Sequence, residues 1–173
     1  MTRRAAYRVR QFLHALFAPW VTEDLQEVRR ALTPAQWALF LRMPAPDRRH
    51  GLAVFRALRA QGVACPDLLV AALLHDVGKA EAAPALWLRV LTVLLERFAP
   101  RLLERWAQEE GSRWQRALWL YRQHAVLGAR QAAAAGCSSL TIALIRRHHE
   151  PGGEMTGEEE HLLALLQEAD GRW

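Results

Sequence analysis

Histidine, aspartate and one lysine are the residues of this chain whose types and spacing can do chemistry. The run ALLHDVGK ends an almost wholly apolar stretch in His75 and Asp76, with Gly78 and Lys79 directly behind. A carboxylate in the last turn of a buried helix opposes the helix dipole by about 0.3–1 kcal/mol, and burying it unpaired costs far more. Asp76 therefore requires a cation, and a divalent metal with His75 as a second ligand supplies one. Neighbouring residues on a helix point about 100° apart, but at a helix end both can converge on one ion. Lys79 is the only lysine in a chain with 23 lysines and arginines. A compact point charge retained where arginine serves everywhere else suggests a need for it there.

Further ligands follow from helical spacing. His50 lies on the stripe that holds Val54, Ala57 and Leu58, and so faces the core. Asp170 shares a face with Leu163 and Leu166, whereas its neighbour Glu168 sits on another. His50, His75, Asp76 and Asp170 then converge from three helices, with the nitrogen and oxygen mix of a site for iron, manganese, zinc or a similar divalent ion. A second group contains His124, four residues before Gly128, and the tandem His148 and His149 that end LTIALIRRHH. These three could hold a second ion, with Asp76 between the two. His14 and His161 lack such a context and read as surface or boundary residues. Cys65 and Cys137 have no close CxxC partner and no acid–base neighbour, which argues against a disulfide framework and thiol catalysis.

The elements that must position these groups are helical, because no stretch alternates with period two for long enough to make a strand. The expected fold is all-α. A first helix spans roughly residues 3–17, with Arg3, Arg4, Arg8 and Arg10 beside Phe12, Leu13, Leu16 and Phe17. It reads as packed on its own domain rather than on an anionic membrane. A second covers about 24–31, and TPAQ starts a third with Thr33 as N-cap, Pro34 in the first turn and Gln36 closing a capping box. After MPAPD a longer helix runs from about Asp47 to Ala60 and stops near Gly62. CPDLLVAALLHD opens at Pro66, is apolar on all sides and should form the central helix, with Gly78 as its left-handed stop. Two or three helices fill 84–122. Another runs from His124 to about Ala135, ending at Gly136. Ser138 or Ser139 caps the next, which ends by Glu150; GGEMTG is a loop; and a last helix covers about Glu158–Asp170.

At 173 residues and 51% hydrophobic, the chain is long enough to bury roughly 70% of its unfolded surface. Net charge is +5 and pI about 10.2, from arginines scattered in ones and twos without a dense basic block. That pattern fits a solvated arginine-rich surface better than a nucleic-acid footprint. The most apolar run, PALWLRVLTVLLERF, is too short to span a bilayer and contains Arg89. The expected setting is the cytoplasm, with free thiols.

The ordered set RRHGLAVF, LLHDVGK, HAVLGA, IRRHHE and QEADG resembles the HD-domain superfamily of metal-dependent phosphohydrolases. The resemblance covers about residues 45–173. It implies an HD helical bundle holding one or two divalent ions (Fe or Mn, with Zn, Mg, Ni or Co as alternatives), with residues 1–44 as N-terminal accessory helices and 84–122 as a helical insert. HHE and His124 with Gly128 and Ala129 are similar to HD-GYP cyclic-di-GMP phosphodiesterases, although this chain reads HHEPGGEM where they continue through Asp-Gly to Gly-Tyr-Pro. The set is also similar to HD-type symmetrical diadenosine tetraphosphatases, from which the insert departs by covering or reshaping the pocket. Either likeness implies hydrolysis of a phosphoester or phosphoanhydride, foremost of a nucleotide, by a metal-activated hydroxide. His50, His75 and Asp170 would complete one ion and His124, His148 and His149 the other, with Asp76 bridging. Lys79 would hold a phosphate oxygen, and Arg49, Arg146 or Arg147 a second phosphate. The implied partner is a phosphorylated small molecule, with a homodimer compatible and neither stable nucleic-acid binding nor membrane contact expected. A metal- and nucleotide-binding signalling module without catalysis is the alternative.

Overall fold

A computed structural model describes residues 25–82, 86–150 and 157–172. The expected helix at 3–17 and most of the GGEMTG loop lie outside them. The described chain is all-α, with eleven helices and no strand. In chain order these are α1 (Gln26–Ala31), α2 (Pro34–Leu41), α3 (Ala45–Ala60), α4 (Pro66–Leu74), α5 (Lys79–Ala82) and α6 (Leu86–Phe98). They are followed by α7 (Pro100–Trp106), α8 (Arg113–Arg122), α9 (His124–Ala134), α10 (Ser139–Arg147) and α11 (Gly157–Asp170).

Helix starts follow local chemistry. Thr33 and Gln36 close the expected capping box at α2, with Pro34 in its first turn, and the Ser138 hydroxyl accepts the Thr141 amide at the start of α10. Satisfying otherwise orphaned first-turn amides in this way contributes about 0.5–2 kcal/mol per cap. Gly62 and Gly136 end α3 and α9 with φ of +83° and +73°, a region that favours glycine.

Helix α4 is buried along Leu68–Leu74, as its all-round apolar sequence requires, and α1, α2, α3, α10 and α11 pack around it. The core joins Leu58, Leu68, Leu73, Leu74, Leu144, Ile145, Leu163 and Leu166, and extends to Val28 and Phe40 of the first two helices. Gly51 lets α3 approach closely: a Cβ there would sit 2.9 Å from the Leu73 carbonyl oxygen. His50 is thereby held against the C-terminal end of α4. The 84–122 segment forms a second apolar cluster from Leu88, Leu95, Leu103 and Leu118, and α8 brings it against α5.

Gly78 differs from expectation. It is not among the described glycines with positive φ; its role is close approach instead. A Cβ on Gly78 would lie 2.0 Å from the His124 carbonyl oxygen and 2.8 Å from the Gly128 nitrogen. Two glycines therefore face each other where the turn after α4 meets the start of α9, and their missing side chains bring His124 toward Asp76. For Gly78, a position just past a helix points to a cap, and only the long-range contact shows the closer packing.

Candidate metal centre

His75 and Asp76 lie in successive tight turns between α4 and α5. The Val77 amide donates to the Leu74 carbonyl at 3.0 Å and the Lys79 amide to the Asp76 carbonyl at 3.0 Å. This tightened backbone lets two adjacent side chains turn toward the same cluster of histidines. His75 and Asp76 are almost fully buried, at 1% and 3% exposure.

Around Asp76 the structure brings together every histidine and carboxylate expected to ligate a metal. His50, His75 and Asp76 present ligand atoms within 4.8 Å of one another, as do His124, His148 and His149. Asp76 lies between the two groups. Its Oδ1 is 3.5 Å from His124 Nε2 and 3.8 Å from His148 Nε2, while Oδ2 is 3.6 Å from His75 Nε2. Asp170 joins the first group, with Oδ1 2.7 Å from His50 Nε2 and 3.5 Å from His75 Nε2.

The tautomers are set by the backbone. His75 Nδ1 donates to the Ala72 carbonyl at 3.0 Å, His124 Nδ1 to Tyr121 at 2.5 Å and His148 Nδ1 to Ile145 at 2.7 Å. Each bond runs three residues back, to an oxygen that can only accept, so Nδ1 carries a proton in all three rings; His124 and His148, held neutral by burial, turn a bare Nε2 inward. Metal-ligating histidines are commonly oriented by such a bond. His124 and His148 therefore face one another with two lone pairs, Nε2 to Nε2 at 3.3 Å, and His149 Nε2 stands 3.1 Å from His124 Nε2. The two bare Nε2 atoms of His124 and His148 repel unless a proton donor, such as a His149 N–H toward His124, or a cation lies between them. In addition, His75 Nε2 and Asp76 Oδ1 are buried without any hydrogen-bond partner. An orphaned buried polar atom costs about 1–3 kcal/mol, more when charged, and these two aim into the same space. The donor set, two or three imidazoles with one or two carboxylates in each group, suits iron, manganese or zinc. His149 is exposed, leaving that group open to solvent.

The electrostatics are those of a carboxylate pair among rings. Burial opposes the charge on Asp76, but Lys79 and the histidines overcome it and hold the carboxyl well below its usual range. Asp170 is likewise held down against burial by its hydrogen bond to His50 and by the nearby His75. Burial would lower His75, yet Asp76 and Asp170 push it up to about 9. Burial, reinforced by Lys79, pushes His124 down to about 4, and burial lowers His148 and His149 as well. The ring beside both carboxylates thus takes a proton that the second group refuses.

Lys79 stands differently from the role expected of it. Its Nζ donates to Asp76 Oδ2 at 2.6 Å and lies 5.6 Å from the centroid of the Tyr121 ring. It partners the carboxylate directly rather than pointing only at a substrate. Arg49 is half-buried beside His50. Arg146 is exposed, and among the described residues no hydrogen bond or ion pair ties it to the cluster; Arg147 pairs with Glu150 at 3.1 Å. His161 is exposed and His14 lies outside the described residues. Both cysteines are free thiols, and burial pushes the Cys137 thiol up, away from nucleophilic use.

Tyr121 is the participant that sequence reasoning missed. Its carbonyl orients His124, its ring lies 5.6 Å from the His124 ring, and it sits on α8, within the 84–122 segment. The available signal was its position three residues before His124, the spacing of the histidine-to-carbonyl bond. Comparisons with protein-family models, curated proteins and solved structures found no match. Among the described residues no helix is long and apolar enough to cross a membrane.

Proposed function

We propose that this chain is a metal-dependent phosphohydrolase of the HD type, acting on a phosphoester or phosphoanhydride, foremost of a nucleotide. The observation that carries the reading is the convergence of bare Nε2 atoms on Asp76 with two buried, unpartnered polar atoms among them. Such an arrangement is costly as a purely structural core and is satisfied by a divalent cation. When bound, one or two such ions would supply Lewis acidity and a water acidified toward neutral pH.

The chain's own residues do the rest. His50, His75 and Asp170 would hold one ion and His124, His148 and His149 the other, with Asp76 offering one oxygen to each. The Nδ1–H bonds to Ala72, Tyr121 and Ile145 keep the rings from turning away. Lys79 lies close enough to the carboxylate to sense the charge balance there, and its ammonium is suited to a non-bridging phosphate oxygen as charge develops. Exposed His149 marks the side on which a phosphate can enter. The non-catalytic binding module is the weaker reading, because it makes no use of a solvent-open set of bare donors.

The test is hydrolysis of a panel of nucleotides and simple phosphoesters by chelator-stripped protein supplied with Mn(II) or, anaerobically, Fe(II). Metal-dependent turnover that Asp76→Asn abolishes is expected. A protein that binds metal and cleaves nothing on the panel would leave the binding module as the account.

A further inference from the structure

The 84–122 segment begins just after α5, whose first residue is Lys79, and ends just before His124. Both of its ends are therefore rooted at the centre, and α8 packs against α5 where they meet. Tyr121, at the end of α8, is the residue of this root with chemistry to offer. Its carbonyl accepts from His124 Nδ1 at 2.5 Å, which fixes its backbone relative to the centre. Its ring lies 5.6 Å from the His124 ring, centroid to centroid, and its centroid is 5.6 Å from Lys79 Nζ. Packed against both, the phenol has little freedom to swing away.

The hydroxyl has no use in that packing. Among the described residues it has no hydrogen-bond partner, although a tyrosine packed into a protein usually finds one. Contact of the ring with Lys79 and His124 alone would be served by phenylalanine. The residue is half-buried, which leaves a way for a ligand to reach it. The charges of Lys79, Glu96, Asp76 and Asp47 all reach the hydroxyl, and burial keeps it protonated at neutral pH. A neutral donor strengthens the grip on an oxyanion without placing a second cation against Lys79.

We propose that the Tyr121 hydroxyl donates a hydrogen bond to a phosphate oxygen of the bound substrate, beside the Lys79 ammonium, so that the 84–122 segment supplies a substrate contact. This rests on the phosphohydrolase reading above and adds to it a substrate-contacting residue outside the histidines and aspartates of the centre. The chemistry recognised is the tetrahedral oxyanion common to phosphoesters and phosphoanhydrides. A donor already held in place needs no reorganisation as charge develops on that oxygen.

The chain has two tyrosines, so Tyr7→Phe protein grown on fluorotyrosine carries a single fluorine reporter, at Tyr121. The full chain, loaded with diamagnetic Zn(II), is titrated with inorganic phosphate and followed by fluorine NMR and by calorimetry. The Tyr121 resonance should move and saturate with the Kd that calorimetry gives. Tyr121→Phe in the otherwise native chain should weaken phosphate by about tenfold or more, the worth of one hydrogen bond to a charged group, with Zn(II) affinity and Tm as in wild type. A resonance that stays still while phosphate binds, or Tyr121→Phe protein that binds phosphate like wild type, would overturn the contact and leave the phosphohydrolase reading standing. Loss of Zn(II) affinity in Tyr121→Phe would overturn it too, by showing that the side chain serves His124 instead. Zn(II)-loaded protein that binds no phosphate would also overturn the contact, and turnover of the phosphoester panel by that same protein would separate this failure from that of the phosphohydrolase reading. Should Tyr121→Phe not fold, the fluorine titration decides the matter alone.

Discussion

Replacing Gly78 by alanine tests how the fold assembles the centre. The added Cβ would lie 2.0 Å from the His124 carbonyl oxygen and 2.8 Å from the Gly128 nitrogen, and all of these atoms are backbone, so no rotamer change relieves the overlap. Reaching ordinary van der Waals contact at 3.4 Å requires the turn after α4 and the start of α9 to part by about 1.4 Å. Overpacking of this kind costs about 1–3 kcal/mol, and for a chain of this length each kcal/mol lowers Tm by about 2–4 °C. The centre is affected more than the stability. Metal–ligand distances tolerate about 0.2 Å, so a displacement several times larger at His124 should remove one ligand from Asp76. The expected result is a folded, helical protein with a lowered Tm and at least a tenfold loss in affinity for the ion at the His124 group. Gly128→Ala is the control: its Cβ meets neighbours at 3.3–3.4 Å, a tight contact that small shifts absorb, and the effect should be a fraction of that at Gly78. The assays are thermal unfolding by circular dichroism and Mn(II) calorimetry. Wild-type Tm and affinity in Gly78→Ala would refute the claim that this crossing sets the site.

Three further outcomes follow from the same geometry. In chelator-stripped protein the centre should be most stabilising near pH 6.5. His75, raised to about 9, contributes fully below 6.5 and loses its contribution as pH rises toward 9. His124, lowered to about 4, penalises folding as pH falls from 6.5 toward 4; denaturant unfolding at pH 5, 6.5 and 8.5 checks this, and a monotonic rise across that range would contradict it. Adding a divalent ion at 100 times its Kd should stabilise the protein by about 2.7 kcal/mol, seen as a Tm rise that EDTA reverses; no shift with Mn(II), Fe(II) or Zn(II) would argue against binding to the folded state. Thr33→Ala should cost about 0.5–2 kcal/mol through loss of the α2 cap and leave Mn(II) affinity unchanged, so a loss of metal there would show that α2 bears on the site.

The centre was more legible in the sequence than the scaffold around it. His50 and Asp170 could be aimed inward because they share helical faces with Val54 and Leu58, and with Leu163 and Leu166, which are indeed buried. Asp76 could be singled out because a carboxylate closing an apolar helix needs compensation. What escaped was tertiary. Gly78 followed a helix and so looked like a cap, because the close approach of α9 that forbids a side chain there is a long-range contact. Lys79 meets Asp76 across a single turn, three residues apart, whereas the position of Tyr121 depends on how the 84–122 helices fold back onto α5, which no local period encodes. Gly51, whose missing side chain admits the Leu73 carbonyl, carries the same lesson: glycine in a helix interior often marks a crossing rather than a turn.

The most direct measurement is the metal content of protein purified without chelator or nickel resin, by elemental mass spectrometry. The account predicts at least one divalent ion per chain, retained through purification and lost in Asp76→Asn. Protein with no divalent ion, even after anaerobic reconstitution with iron or manganese, would contradict it and leave Lys79 and the histidines as the groups that compensate Asp76.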